Sequence, residues 1–241
     1  MQENIQRYLD GLVSVLGRLP MASIQRVIDL LAQARYSNKQ VIIMGNGGSA
    51  ATASHFACDL GKGTLMPGHP RFRAIALTDN MPLFSALAND YGYEHAFSEQ
   101  IKSMVQPGDV VIGISGSGKS PNVLNAVRVA REARATTIGF VGYDGGLLKD
   151  LVDVHVHVPS SCMEQVEDVH LVLEHLISTC LRQVIWGPEH GNLLSTAERD
   201  ESPAAIIAED VSAWRELAAV TPGGNGSHQG NEPVRIGEDR G

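Results

Sequence analysis

The feature that most constrains the fold is an alternation, from residue 39 onward, between short apolar segments rich in β-branched residues and longer stretches with helical spacing. Strands that are apolar along nearly their whole length are typical of parallel sheets covered by helices on both faces. We therefore predict an α/β domain with a doubly wound, five-stranded parallel sheet. The predicted strands are 39–44, 72–77, 109–115, 136–142 and 152–158. The predicted helices are 49–61, 81–104, 121–134 and 163–186.

The two ends of the chain differ from this central pattern. Residues 1–36 carry apolar residues at helical spacing, interrupted at Leu19-Pro20, which predicts two N-terminal helices. Residues 187–241 contain 4 Lys and Arg against 10 Asp and Glu, whereas residues 1–186 contain 15 against 17. We predict one domain over 1–186 and an acidic tail over 187–241, with one helix at 204–220 and a disordered end rich in glycine and polar residues.

Composition excludes several classes of protein. The formal charge of −8 argues against a nucleic-acid surface driven by charge, and no apolar run approaches the ~18 residues of a membrane span. The three cysteines are scattered and form no disulfide framework. The first residues lack the basic and then apolar layout of a signal peptide. We expect a cytoplasmic protein with neither nucleic acid nor membrane as a partner.

The first candidate binding segment is the glycine-rich turn at 45–49, directly after the first predicted strand. Ligands of such sheets bind beyond the carboxyl ends of the strands, at the switch in strand order. Glycines let the backbone approach a ligand, and the free N–H groups of a helix start favour an anion. A tight turn without a ligand is the simpler explanation, but Asn46 and Ser49 add polar groups that turning the chain does not require.

The second candidate segment is the serine-rich turn at 113–120, which follows the third predicted strand. The hydroxyls of Ser115, Ser117 and Ser120, together with backbone N–H groups, predict a cradle for a small sugar phosphate. The segment also matches the nucleotide-binding pattern G-x-x-x-x-G-K-[ST], with Lys119 in the lysine position. No later predicted strand ends in the Asp that a nucleotidase needs for Mg²⁺, so we interpret Lys119 as a solvated turn residue.

These turns belong to a wider set of motifs that resembles a known family. The set comprises the first turn running into His55 and Asp59, the Ala88-Asn89-Asp90 segment, the serine turn SGSGKSPNV, and a last helix that contains Val166–His170 and then His175. Over residues 1–186 the chain resembles the sugar isomerase (SIS) domain family and, within it, the phosphoheptose isomerase branch.

The resemblance implies a zinc site and two proton carriers. The zinc ligands of the branch fall on His55, Asp59, Glu167 and His175. The chain departs from the family at two of them, because Asp59 stands in place of a glutamate and Glu167 in place of a glutamine. The resemblance also implies that Asp59 and His175 move the protons. The implied substrate-binding residues are Asn46, Gly47, Gly48, Ser49, Asp59, Asn89, Asp90, Ser115, Gly116, Ser117, Ser120 and Glu167.

The spacing of these residues supports part of the assignment. His55 and Asp59 are four residues apart, so they are neighbours on one helix face. Glu167 and His175 are eight residues apart, which corresponds to ~12 Å of rise and ~80° of rotation in a regular helix. Their convergence therefore requires long side chains or an irregular helix start. Asp168 lies closer to the face of His175 and remains a rival ligand.

The resemblance implies an aldose–ketose isomerase that converts sedoheptulose 7-phosphate to D-glycero-D-manno-heptose 7-phosphate through a metal-assisted enediol. It also implies a homotetramer, for which the apolar N-terminal helices are candidate contacts. Two alternatives stay open at this point. One is a non-catalytic relative that senses a sugar phosphate or binds the replication initiator protein, and the other is an isomerase of a different sugar phosphate.

Overall fold

The computed structural model describes residues 1–187 and contains a five-stranded parallel sheet flanked by helices, which confirms the predicted fold class. The predicted tail, with its helix at 204–220, lies outside the described residues except for Gly187. The strands are β1 (Gln40–Gly45), β2 (Arg73–Ala76), β3 (Val110–Ser115), β4 (Thr136–Val141) and β5 (Val154–His157). The helices are α1 (Gln2–Leu16), α2 (Met21–Tyr36), α3 (Gly48–Cys58), α4 (Met81–Tyr91), α5 (Ala96–Met104), α6 (Pro121–Glu132), α7 (Gly146–Leu151) and α8 (Met163–Trp186).

The order of strands in the sheet sets the position of the candidate site. The order is β2-β1-β3-β4-β5, with every neighbouring pair parallel. In the central register, Val41 pairs with Val110 and Gly45 pairs with Ile114. The direction of winding changes between β1 and β3, so the turns that follow these two strands lie side by side at the switch point.

Side chains of alternate strand residues build one apolar core on each face of the sheet. Val41 and Ile43 of β1 are fully buried on the face covered by α2, α3 and α8. Ile42 and Met44 are fully buried on the face covered by α5, α6 and α7. Because helices cover both faces of the sheet, the central strands are apolar along their whole length. This is the pattern of continuous apolar segments seen in the sequence.

Three segments differ from the sequence-based prediction. The helix predicted over 81–104 is two helices, α4 and α5, because Gly92 has a positive φ of 89° that ends α4. The helix predicted over 49–61 is α-helical only to Cys58 and continues as one turn of π-helix over Asp59–Gly63. The short helix α7 was not predicted, since its six residues are too few to show a helical period.

The two N-terminal helices have different environments. Helix α2 belongs to the core, where Val27 and Leu31 are fully buried. Helix α1 buries only Val15 and leaves Ile5, Leu9 and Val13 exposed in a row at four-residue spacing. Within residues 1–187, no helix is both long enough and apolar enough to cross a membrane.

Candidate active site

The two glycine-rich turns are joined by hydrogen bonds between amide side chains. Asn46 in the first turn donates from Nδ2 to Oδ1 of Asn122, at 2.9 Å, and Asn122 donates in return to Oδ1 of Asn46, at 2.8 Å. The hydroxyl of Tyr93 also donates to Oδ1 of Asn46, at 2.9 Å. Since Asn122 lies in the first turn of α6, directly after the serine turn, this pair fixes the two turns relative to each other.

The serine turn has the form of a compact hydroxyl cluster. Ser115 and Ser120 lie with their Oγ atoms 3.0 Å apart, and the backbone N–H of Lys119 donates to Oγ of Ser117, at 3.2 Å. Gly118 has a positive φ of 64°, and a Cβ there would lie 1.9 Å from the carbonyl oxygen of Gly145. Glycine is therefore required at 118 both for its conformation and for the close approach of the next loop.

Lys119 is directed away from this cluster. Its Nζ atom lies 3.2 Å from Oδ2 of Asp144, in the loop after β4, and its side chain is 60% exposed. The N–H of Gly146 and then the Lys119 ammonium hold the pKa of the Asp144 carboxyl below its usual value. Lys119 thus ties two surface loops together, which agrees with its interpretation as a solvated turn residue rather than as a nucleotide-binding lysine.

Helix α8 passes over both turns and then reaches α3. A Cβ at Gly116 would lie 2.6 Å from Sδ of Met163, and a Cβ at Gly48 would lie 2.7 Å from a carboxylate oxygen of Glu167. Two turns farther along α8, His175 meets His55 of α3, with ring centroids 4.8 Å apart and planes at 86°. The structure therefore brings together two histidines that are 120 residues apart in the chain.

Asp59 lies beside His55 at the point where α3 changes to π-helix. Its Oδ1 atom is 3.9 Å from Nε2 of His55. One-turn π-helices inside α-helices are frequent at functional sites, because they shift the side chains that follow relative to the rest of the helix. The side chains of His55, Asp59 and His175 are 45%, 29% and 51% exposed, so all three are accessible to a solute.

Glu174 is the fourth ionisable group at this position, and its side chain is fully buried. Its Oε1 atom lies 4.0 Å from Nε2 of His55, and its Oε2 atom lies 3.4 Å from Nε2 of His175. Neither carboxylate oxygen is paired with an N–H or hydroxyl donor. Burial, and then the negative charge of Asp59 and a hydrogen bond with its carboxyl group, raise the pKa of the Glu174 carboxyl to about 8.

The four residues form a group that can hold a divalent metal ion. One potential ligand atom from each of His55, Asp59, Glu174 and His175 lies within 4.8 Å of all the others. Imidazole nitrogens and carboxylate oxygens are the ligands that zinc takes in catalytic sites. Buried carboxylate oxygens in proteins are normally paired with N–H or hydroxyl donors. The two oxygens of Glu174 lack such donors, which is expected where side chains are arranged around a cation.

Several residues named from the sequence lie elsewhere. Glu167 extends over Gly48 in the first turn and is not in the group of four, because α8 is helical from Met163 and places residues 167 and 175 on different faces. Asp168 accepts a hydrogen bond from the hydroxyl of Tyr8, at 2.6 Å, so it faces α1.

Asn89 and Asp90 lie at the carboxyl end of α4. Both residues are exposed, and Nδ2 of Asn89 donates to Oδ1 of Asp90, at 2.9 Å. Neither residue is in the group of four ligand candidates. Their assignment to substrate binding stays a prediction.

Sequence reasoning missed three residues of this region: Glu174, Asn122 and Tyr93. Glu174 carried a visible signal, since a carboxylate on the apolar stripe of α8, between Leu173 and Ile177, has to be buried there. Asn122 and Tyr93 carried none, because their contacts join segments that are far apart in the chain.

Comparison with known proteins places this arrangement in a family. A profile of the SIS domain matches residues 7–142. Phosphoheptose isomerase of Geotalea daltonii is 40% identical over 172 residues, which cover 71% of this chain and 89% of that protein. Phosphoheptose isomerase of Trichlorobacter lovleyi is 40% identical over 166 residues, covering 69% and 84%. The solved structure of phosphoheptose isomerase from Neisseria gonorrhoeae is 30% identical with a TM-score of 0.69 and covers 75% of this chain and 97% of that one.

The chain therefore belongs to the SIS domain family, whose profile matches more than half of its length. Within that family it groups with the phosphoheptose isomerases, and it is an enzyme of the isomerase class. Both the family and the enzyme class confirm the sequence-based prediction.

Proposed function

We propose that this sugar-phosphate isomerase converts sedoheptulose 7-phosphate to D-glycero-D-manno-heptose 7-phosphate through an enediol. The observation that carries the proposal is the meeting of His55, Asp59 and His175 near two turns suited to a phosphorylated sugar. The names of the relatives, each at 40% identity, support this choice of substrate over other sugar phosphates.

The substrate phosphate binds to the serine turn rather than to the first turn. The carboxylate of Glu167 lies over Gly48 at the start of α3 and repels a second anion there. The serine turn offers hydroxyls from Ser115, Ser117 and Ser120 without a carboxylate contact of this kind. Along α8, nine residues separate Val166, near the serine turn, from His175, which is roughly 13 Å at 1.5 Å per residue. This separation favours a long sugar with its carbonyl end at the histidines.

Asp59 and His175 move the protons in this mechanism. Asp59 removes a proton from the carbon beside the carbonyl, and the ring N–H of His175 gives a proton to the carbonyl oxygen, which yields the enediol. Asp59 then returns its proton to the former carbonyl carbon, while His175 takes one from the neighbouring hydroxyl. Each carrier ends in its starting state, and each typically contributes a factor of ~10²–10⁴ in rate.

His55, Asp59 and His175 are the residues that would hold a zinc ion, one per subunit. A bound zinc ion polarises substrate oxygens and stabilises the negative charge that develops on them. The resemblance gives Glu167 as the fourth ligand, whereas the geometry groups the other three with Glu174.

The proposed enzyme is a cytoplasmic homotetramer. The exposed apolar row of α1, formed by Ile5, Leu9 and Val13, is suited to contact with a second copy of the chain. The row is absent from α2, whose apolar residues face the sheet. All three cysteines are free thiols, which is consistent with a reducing compartment.

The test is to incubate the zinc-loaded protein with sedoheptulose 7-phosphate and shorter ketose phosphates in deuterated water. We expect the aldose product and one solvent deuterium in the sugar only with the seven-carbon substrate. Exchange with a shorter sugar would make the enzyme an isomerase of another substrate. Tight binding without exchange or product would instead support a sugar-phosphate sensor and contradict the proposal.

A further inference from the structure

We propose that Glu174, and not Glu167, is the fourth ligand of the metal ion in this site. The inference deepens the proposed metal-assisted reaction, and it concerns a residue that neither the family pattern nor the sequence analysis assigns. It follows from four observations on the geometry of α3 and α8.

The separations between potential ligand atoms match a metal site. In a tetrahedral zinc site with ligands at about 2.0–2.1 Å, two ligand atoms lie about 3.3 Å apart. The observed separations are 3.4 Å between Oε2 of Glu174 and Nε2 of His175, and 4.0 Å between Oε1 of Glu174 and Nε2 of His55. Small rotations of the side chains are enough to complete the coordination.

Glu174 lies among groups that do not stabilise its carboxylate form. Its side chain is fully buried, neither carboxylate oxygen accepts a hydrogen bond from an N–H or hydroxyl group, and its neighbour Asp59 is a second carboxylate. A buried carboxylate without donors is costly, so its retention on an apolar helix face requires a compensating interaction. A cation held jointly with His55 and His175 provides one.

Glu167 is engaged at a different position. Its carboxylate lies over Gly48, at the start of α3, where free N–H groups and the helix dipole favour negative charge. Residue 167 precedes Glu174 by seven residues on the same face of α8, so it lies roughly 10 Å nearer to the start of that helix. Moving its carboxylate to the histidines would require local unwinding of α8.

The shorter acid at position 59 is compatible with this assignment. Asp59 is one methylene shorter than the glutamate of the family, so it reaches less far towards the centre of the site. Glu174 approaches the same centre from α8. The resulting set of two imidazoles and two carboxylates contains more oxygen donors of high charge than a set with a neutral amide, which favours harder divalent metals such as Mn²⁺ relative to the family pattern.

The experiment compares metal binding by the wild-type protein, Glu174→Gln and the matched control Glu167→Gln, without any sugar. Zinc affinity is measured by competition with a chromogenic chelator, and the Co²⁺-substituted proteins give the ligand-field absorption of the site. We expect Glu174→Gln to lower zinc affinity by at least about 100-fold, more than outer-sphere changes usually do, and to alter the Co²⁺ spectrum. Glu167→Gln should stay within about threefold of wild type, with an unchanged spectrum.

Loss of zinc in Glu167→Gln with retention in Glu174→Gln would overturn the proposal, as would a wild-type protein that binds no stoichiometric metal. Far-ultraviolet circular dichroism of the metal-free proteins controls for folding. Glu174→Leu is a second variant, which matches the apolar neighbours and should also lose the metal. Because no sugar is used, a protein that binds zinc through Glu174 but turns over no heptose phosphate would support this inference while refuting the proposed substrate.

Discussion

Buried carboxylates in the domain differ in what surrounds them. At the amino end of the sheet, Asp109 is 3% exposed, and each of its oxygens accepts a backbone N–H, from Gln40 at 2.9 Å and from Gln106 at 2.8 Å. Glu174 of α8 is more deeply buried, and neither of its oxygens is paired with an N–H or hydroxyl donor. The first carboxylate joins β1 to the loop before β3, whereas the second faces the side chains of His55 and His175.

The contrast extends to a second residue at the amino end. Oδ2 of Asp153 accepts from both the backbone N–H and the hydroxyl of Thr137, each at 2.8 Å, which joins the start of β5 to β4. Asp153 itself is exposed, but it pairs the buried Thr137, and nearly all buried polar groups in native proteins are paired in this way. An unpaired carboxylate between two histidines therefore indicates function, while paired carboxylates indicate architecture.

The largest expected effect is on catalysis at the group that contains Glu174. Replacing His175 by Gln should lower turnover of the sugar phosphate by about 10²–10⁴-fold, because a proton carrier is lost. Binding should remain measurable by calorimetry, since the serine turn is untouched. The matched control is Asp153→Asn, which alters a paired carboxylate and should retain the turnover of the folded protein. Equal losses in both variants would show that paired and unpaired carboxylates do not differ as described.

A smaller effect is expected on stability, and here the variant at Asp109 should lose more than the variant at Glu174. Asp109→Asn replaces one acceptor oxygen by an N–H group facing a backbone donor, so the free energy of unfolding should fall by about 2 kcal/mol. Glu174→Gln should leave that of the metal-free protein unchanged or higher above pH 8, where the variant removes a buried charge. Urea titrations in the presence of a chelator measure both. A larger loss in Glu174→Gln would mean that Glu174 holds the fold together.

The same comparison shows how far the sequence alone reaches. The apolar strands such as Val110–Ser115 predict the parallel sheet, because burial on both faces leaves a pattern in consecutive residues. The turns after β1 and β3 are predictable for a similar reason, since glycine and serine at the switch point are local signals. His55 and Asp59 are likewise neighbours on one helix.

Contacts between distant helices leave weaker traces. Residues 167 and 174 share one face of α8, and residue 168 shares another with His175. Which of them meets His55 therefore depends on both the rotation of α8 and its position along its axis relative to α3, and no spacing within α8 determines either. The pairing of Asn46 with Asn122 likewise depends on how α6 is placed against the first turn. Local sequence patterns therefore predicted part of the site. Identifying Glu174 as the fourth ligand candidate required the packing of α8 against α3.

The phosphate cradle gives the next prediction. Ser115→Ala removes a hydroxyl that lies 3.0 Å from that of Ser120. Loss of one hydrogen bond to a charged phosphate should raise KM about tenfold, with a smaller change in kcat, because the proton carriers are unaffected. Steady-state kinetics separates the two constants. Ser14→Ala, on the exposed surface of α1, serves as the control. An unchanged KM for Ser115→Ala would place the phosphate elsewhere, at the first turn.

The last prediction concerns the pH dependence of stability and tests the buried carboxylate directly. The pKa of Glu174 is about 8 in the folded protein against an ordinary value of 4.5, so the folded state binds more protons between these values. The stability of the metal-free protein should therefore fall as pH rises from about 4.5 to 8, and the carboxyl should add no slope outside that window. His55, Asp59 and His175 face the same space, but they are present in both wild type and Glu174→Gln, so much of their contribution cancels in the difference. We expect similar Tm values near pH 5 and a lower Tm for wild type than for Glu174→Gln at pH 8. Equal Tm values for the two proteins at both pH values would mean that the Glu174 carboxylate is as well accommodated as Asp109, and the contrast between the two carboxylates would disappear.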